Sequence, residues 1–152
     1  MSVFNFLDDI SIQKVLPSKL IILTEKTIFL GITILDGKKF YIGKNGKLTP
    51  IFQVKKEQNL PLVFGNLKIN EFLNLQKVLI KENIELNKIK KYFYYKNKRS
   101  DLQYDTDLIV KLPYKNVKSS LQTFRYLIEN NKINNVKIVD LRIPNNIVLT
   151  DE

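Results

Sequence analysis

The stretch "DLQYDTDLIVKLPYKNVKSSLQTFRYLIENN" (101–131) changes its period half-way along. Leu102 and Tyr104 alternate with polar neighbours, Asp105-Thr106-Asp107 supplies a turn, and Leu108 to Leu112 resumes the apolar run. That is the two-residue period of a hairpin, and Pro113, with no N–H to offer a ladder, closes it. From Tyr114 the period becomes helical: Val117, Leu121, Phe124 and Ile128 share one face, with Leu127 beside them. A hairpin that feeds an amphipathic helix is the signature of mixed architecture.

The flanking sequence repeats the same grammar. Strands are expected near 11–15, 19–26 and 28–35, where β-branched residues crowd and no long helical period appears. Asp36-Gly37 and Asn45-Gly46 supply the positive φ of tight hairpins, with one strand, Lys38 to Gly43, between them. Gly65-Asn66 ends an extended "LPLVFGN" (60–66), and an amphipathic helix is expected over 67–83, capped by Asn66 or Asn70. "KIKKYFYYKNK" (88–98) reads as an aromatic strand, and 136–143 and 146–149 as the final strands. The order predicts an α+β fold: a largely antiparallel sheet with two amphipathic helices on one face. No internal repeat or low-complexity linker interrupts it.

The totals narrow the chemistry. A chain of 152 residues fits one compact domain, or one plus a fragment of another. No stretch approaches the roughly 20 apolar residues of a membrane span, and "MSVFNFLDD" lacks the basic start of a signal peptide. Cys, His and Trp are absent. Disulfides, thiolate nucleophiles, imidazole bases and the usual zinc ligands are thereby excluded. No glycine-rich phosphate loop is present. Asp101, Asp105 and Asp107 bracket a turn, where Asp serves local hydrogen bonding. Ser119-Ser120 lies on a polar helix face beside Lys118. No catalytic residue, metal ligand, cofactor or small-molecule substrate is expected.

The net charge of +10 points to a polyanion. The competing reading is compositional: Lys scattered among Asn and Ile, as AT-rich coding produces, with Arg only at 99, 125 and 142. The alternative function is accordingly a single-stranded nucleic-acid module using the Lys/aromatic strand 90–99, with bases stacked on alternate rings. Against it stands burial of one aromatic face, as in any amphipathic strand.

Five segments in order resemble one family, the bacterial cell-division proteins FtsQ and DivIB. "SIQKVLPSKLIILTEK" (11–26) resembles the end of the family's POTRA domain, and "KNGKLTP" (44–50) its hairpin. "LPLVFGN" (60–66) resembles its "LPLLxG" before a helix, and "DLQYDTDLIVKLP" (101–113) its "W-x-L-x-L-x-N-G-x-x-V-x-L-P". "VDLRIPNNIVL" (139–149) resembles its terminal "D-L-R-x-x-x-x-x-x-V". Three departures stand out: Thr27 to Gly31 replaces a Pro-Ala-x-Trp stretch, Asp105-Thr106-Asp107 an Asn-Gly turn, and Ile143 an aromatic.

The resemblance implies a division at residue 26: 1–26 as the tail of a truncated POTRA-like domain, 27–152 as an FtsQ-type β domain. It implies a non-enzymatic divisome scaffold, periplasmic, on a single-pass inner-membrane protein whose transmembrane helix lies upstream. It implies recruitment of FtsB and FtsL by β-strand addition at the C-terminal sheet edge. Carried over by motif, Arg142 would pair with an acidic partner residue, Ile143 would stand at the contact aromatic's position, and Asn145, Asn146, Ile147, Val148 and Leu149 would form the receiving edge. For Arg142 an internal ion pair is the competing role, and Asp140 is read as structural support.

Overall fold

The computed structural model describes residues 4–54, 58–144 and 146–151. It comprises two compact units, residues 1–60 and 61–152.

Among the described residues the first unit holds five strands. β1 (Leu7–Val15) and β2 (Lys19–Lys26) form a separate antiparallel pair with Ile12 opposite Ile22. β1 starts four residues before the expected 11, because Asp8 and Asp9 sit exposed on a strand that has no buried face to reject them. β3 (Phe29–Leu35), β4 (Lys38–Gly43) and β5 (Leu48–Pro50) follow as an antiparallel meander. Asp36 and Gly37 both take positive φ, 48° and 73°, as a two-residue hairpin requires. Phe29 stacks on Tyr41 with ring centroids 4.7 Å apart, and Tyr41 and Ile42 are fully buried.

The second unit is built on six strands: β6 (Leu62–Gly65), β7 (Ile89–Tyr94), β8 (Ser100–Tyr104), β9 (Ile109–Leu112), β10 (Val136–Asp140) and β11 (Val148–Asp151). They lie side by side in chain order. Two helices interrupt them, α1 (Ile69–Lys81) after β6 and α2 (Val117–Glu129) after β9. The pairs β6/β7 and β9/β10 are parallel, and the other three are antiparallel. Both helices are therefore crossovers, since a parallel neighbour cannot be reached by a tight turn. The fold is α+β and largely antiparallel, as expected; the parallel pairs refine it.

Both helices cover one sheet face. Phe72 of α1 meets Tyr92 edge-on at 5.3 Å, and Phe124 of α2 lies 5.7 Å from Tyr104. Tyr92, Leu102, Val110 and Val139, one residue from each of four strands, are fully buried on that face. The helix start differs from expectation: Lys68 holds the N-cap position of α1 without a side-chain cap bond, so neither Asn66 nor Asn70 caps it. At α2 the Asn116 carbonyl accepts from the Ser119 and Ser120 hydroxyls at 3.2 and 3.3 Å. Those serines serve the helix start.

Candidate partner-docking edge

The last two strands and the turn between them carry most of the residues singled out by the C-terminal motif. β10 ends on Asp140, and buried Leu141 continues its pairing by donating its N–H to the Lys111 carbonyl at 3.0 Å. The chain then folds back on itself. Arg142 Nε donates to both carboxylate oxygens of Asp140, at 2.8 and 3.0 Å, and its Nη2 also reaches the carboxylate. The Arg142 backbone N–H donates to Asp140 Oδ1 at 3.1 Å. This is the internal ion pair, and it gives Asp140 the supporting role read from the sequence. Ile143 is exposed, and the Asn146 N–H closes a turn on its carbonyl at 3.1 Å.

That turn corrects the last strand. It was expected over 146–149, but β11 runs Val148–Asp151, because Pro144 and Asn146 are spent on the turn. Asn146 and Ile147 thus precede the strand, Val148 and Leu149 lie in it, and all four are exposed. Asn145 lies outside the described residues. β11 pairs antiparallel with β10, Leu149 opposite Val139 and Val148 opposite Asp140. Among the described residues no strand lies beyond it. A groove of about 290 Å³ borders this edge, between Asn116, Ser119 and Thr123 on one side and Arg142, Ile143 and Ile147 on the other.

Sequence reasoning missed what surrounds the pair. On the helix-free face, register aligns Phe64, Phe93, Asp101, Lys111 and Asp140 across five strands. Phe64 and Phe93 stack at 5.5 Å, and beyond them the row alternates acid, base, acid. Asp101 is only 7% exposed and accepts from the Tyr95 hydroxyl at 3.0 Å. Burial raises its pKa above the usual Asp value. The available signal was strand alternation, which puts Asp101 and Lys111 on the polar face; their alignment with Asp140 needs the register.

The Asp140 carboxyl is held below its ordinary range by the hydrogen bonds from Arg142. A depressed folded pKa stabilises above the ordinary Asp value and is lost as pH falls through the folded one. Asp140→Asn should therefore cost about 1–2 kcal/mol at pH 7. The gap from wild type should shrink by pH 3, as read from urea midpoints at both pH values. Asp101 acts in the opposite sense, its raised pKa costing stability once ionised.

The aromatic strand is absorbed by the fold. Tyr92 and Tyr94 are buried beneath the helices and Phe93 is stacked on Phe64, so these rings do not form an open base-stacking ladder. β7 ends at Tyr94, and Tyr95 to Arg99 forms the turn into β8. Among the described residues no group of three His, Cys, Asp or Glu is placed to hold a metal ion. Among the described residues no helix is long and apolar enough to cross a membrane.

The family model for the C-terminal domain of the cell division protein FtsQ/DivIB matches residues 33–142, the greater part of the chain. The chain belongs to the FtsQ/DivIB family. The matched stretch of this FtsQ/DivIB domain takes in both crossover helices and ends on Arg142, so it includes the ion pair and stops before β11. Among solved structures the chain is similar to the major extracytoplasmic domain of the trans isomer of the bacterial cell-division protein DivIB from Geobacillus stearothermophilus. Identity is 12% and the TM-score 0.46, over 72% of this chain and 98% of that one. No curated protein matches the chain.

Proposed function

We infer that this FtsQ/DivIB domain is a non-catalytic divisome scaffold that recruits FtsB and FtsL by strand addition to the outer edge of β11. The observation that carries this reading is that, among the described residues, β11 has a strand on one side only and presents Val148 and Leu149 to solvent. An uncovered edge is a pairing template that proteins usually blunt. Added backbone hydrogen bonds would supply affinity, about 0.5–1.5 kcal/mol net each. The groove beside Arg142, Ile143 and Ile147 would supply side-chain selectivity. Asn146 would lie at the mouth of that edge. By the same reading the domain works on the periplasmic side, carried by an upstream transmembrane helix, with the β1–β2 hairpin as the end of a POTRA-like domain.

The test is capture of FtsB by three variants. Deleting 144–152 should abolish it with far-UV circular dichroism retained, and Arg142→Glu should weaken it strongly. Asp140→Asn separates the roles of Arg142: it frees the guanidinium without removing it, so capture should persist. Normal binding by the deletion variant would rule out the edge. Arg142→Glu and Asp140→Asn failing alike would make Arg142 a support for the turn rather than a contact.

A further inference from the structure

β1 and β2 form a sheet of two strands only, and among the described residues the outer edge of β2 has no neighbour. A lone hairpin is marginal in water and gains stability from a further strand. Register sets Ile10, Ile12, Leu20 and Ile22 on one face of this one, and all four are exposed. An open edge beside exposed apolar side chains is a template for another chain.

The charges of the hairpin say which chain. Register sets Asp9 directly opposite Glu25. Like charges so placed destabilise a strand pair. Among the described residues no cation forms an ion pair with either carboxylate. Lys19, at the other end of β2, lies opposite Val15 and is also without an ion-pair partner. One strand thus carries a lone cation at its start and an uncompensated acidic pair at its end.

We propose that β2 pairs antiparallel with β2 of a second copy of this chain, about a two-fold axis at Ile22. In that register Lys19 of each copy falls opposite Glu25 of the other, next to the Asp9–Glu25 pair, so both acidic pairs gain a cation. Ile21 falls opposite Leu23 and Leu20 opposite Thr24. Ile22 meets Ile22, and because Ile12 already lies opposite Ile22 within each hairpin, four isoleucines form one row across four strands. Side-chain direction alternates along a strand, so a two-fold register can shift only in steps of two. Either neighbouring register sets Lys19 opposite Leu23 or Thr27 and leaves the acids uncompensated. The interface is isologous and closes at two copies. It does not depend on strand addition at β11.

Sedimentation velocity of the full chain over a range of concentrations tests this, and the mass should rise from one copy towards two. Lys19→Glu and Glu25→Lys should each weaken the dimer roughly three- to thirtyfold, since symmetry counts the altered pair twice. Glu25→Lys also relieves the Asp9 contact within the hairpin, so its unfolding midpoint in dilute solution should equal or exceed wild type. The double reversal should restore the dimer. The chain has no Cys, so a single introduced thiol can cross-link only between copies. Ile22→Cys should oxidise to a covalent dimer, because directly opposed residues lie within disulfide reach. A single-copy mass at every concentration would overturn the proposal. Dimers indifferent to both reversals would overturn it in favour of stacked apolar faces. Cross-linking of Ser11→Cys or Leu149→Cys in place of Ile22→Cys would overturn it in favour of the edge of β1 or of β11.

Discussion

Gly65→Ala is expected to cost about 2–6 kcal/mol, enough to consume much of the roughly 5–15 kcal/mol that holds a typical domain. Two effects add. Gly65 has φ +87°, a region that L side chains rarely occupy, and a Cβ there would lie 2.0 Å from the Tyr94 carbonyl oxygen. That oxygen cannot move aside. Tyr94 is the parallel partner of Gly65 in register, and its carbonyl accepts the Asn66 N–H at 2.8 Å. The glycine is what lets β6 turn towards α1 while still pressed on β7. Gly37→Ala provides the internal control. It has φ +73° and nothing within 4 Å of its Cβ, so it carries the strain without the clash and should cost about 1–2 kcal/mol. Urea midpoints of the two variants separate the terms. Equal costs would show that the approach at Tyr94 relaxes.

Phe124→Ala is the second large effect, about 3–5 kcal/mol. Phe124 is fully buried and lies against Tyr104, so removing the ring leaves a cavity under α2. Ile128, four residues on and 42% exposed, should lose about 1 kcal/mol or less on the same change. Chemical denaturation of both variants checks the contrast. Similar losses would mean that α2 is rotated from the face described here.

That pair also shows how far the sequence could be read. The helical period found α2 and three residues of its buried face, Leu121, Phe124 and Leu127, but it could not fix the edge of the stripe, so Ile128 was counted inside. In α1 the buried stripe takes in the polar Gln76 with Phe72, Leu75 and Leu79, while the apolar Ile80 beside it is exposed, so residue type alone does not draw its edge either. The Asp36-Gly37 hairpin and the 105–107 turn were legible because positive φ has few suppliers. The parallel pairs were not, because pairing direction depends on where a crossover helix returns the chain and leaves no local mark. At the candidate site, Asp140 and Arg142 were legible two residues apart, with their pairing as one of two readings. Asp101 and Lys111 belong beside them only through register, which no spacing in the sequence contains.

The parallel pairing of β9 with β10 has a consequence for the order of assembly. β10 cannot find β9 until α2 has formed and carried the chain back across the sheet, a non-local step that local turns cannot hasten. Among the described residues β11 in turn has only β10 to pair with. The β10–β11 hairpin can close locally, but its outer edge becomes the rim of the sheet only once α2 has returned β10 to β9. A partner that needs this edge set in the sheet would read the completion of folding at the same time: a half-folded chain offers at most a loose hairpin.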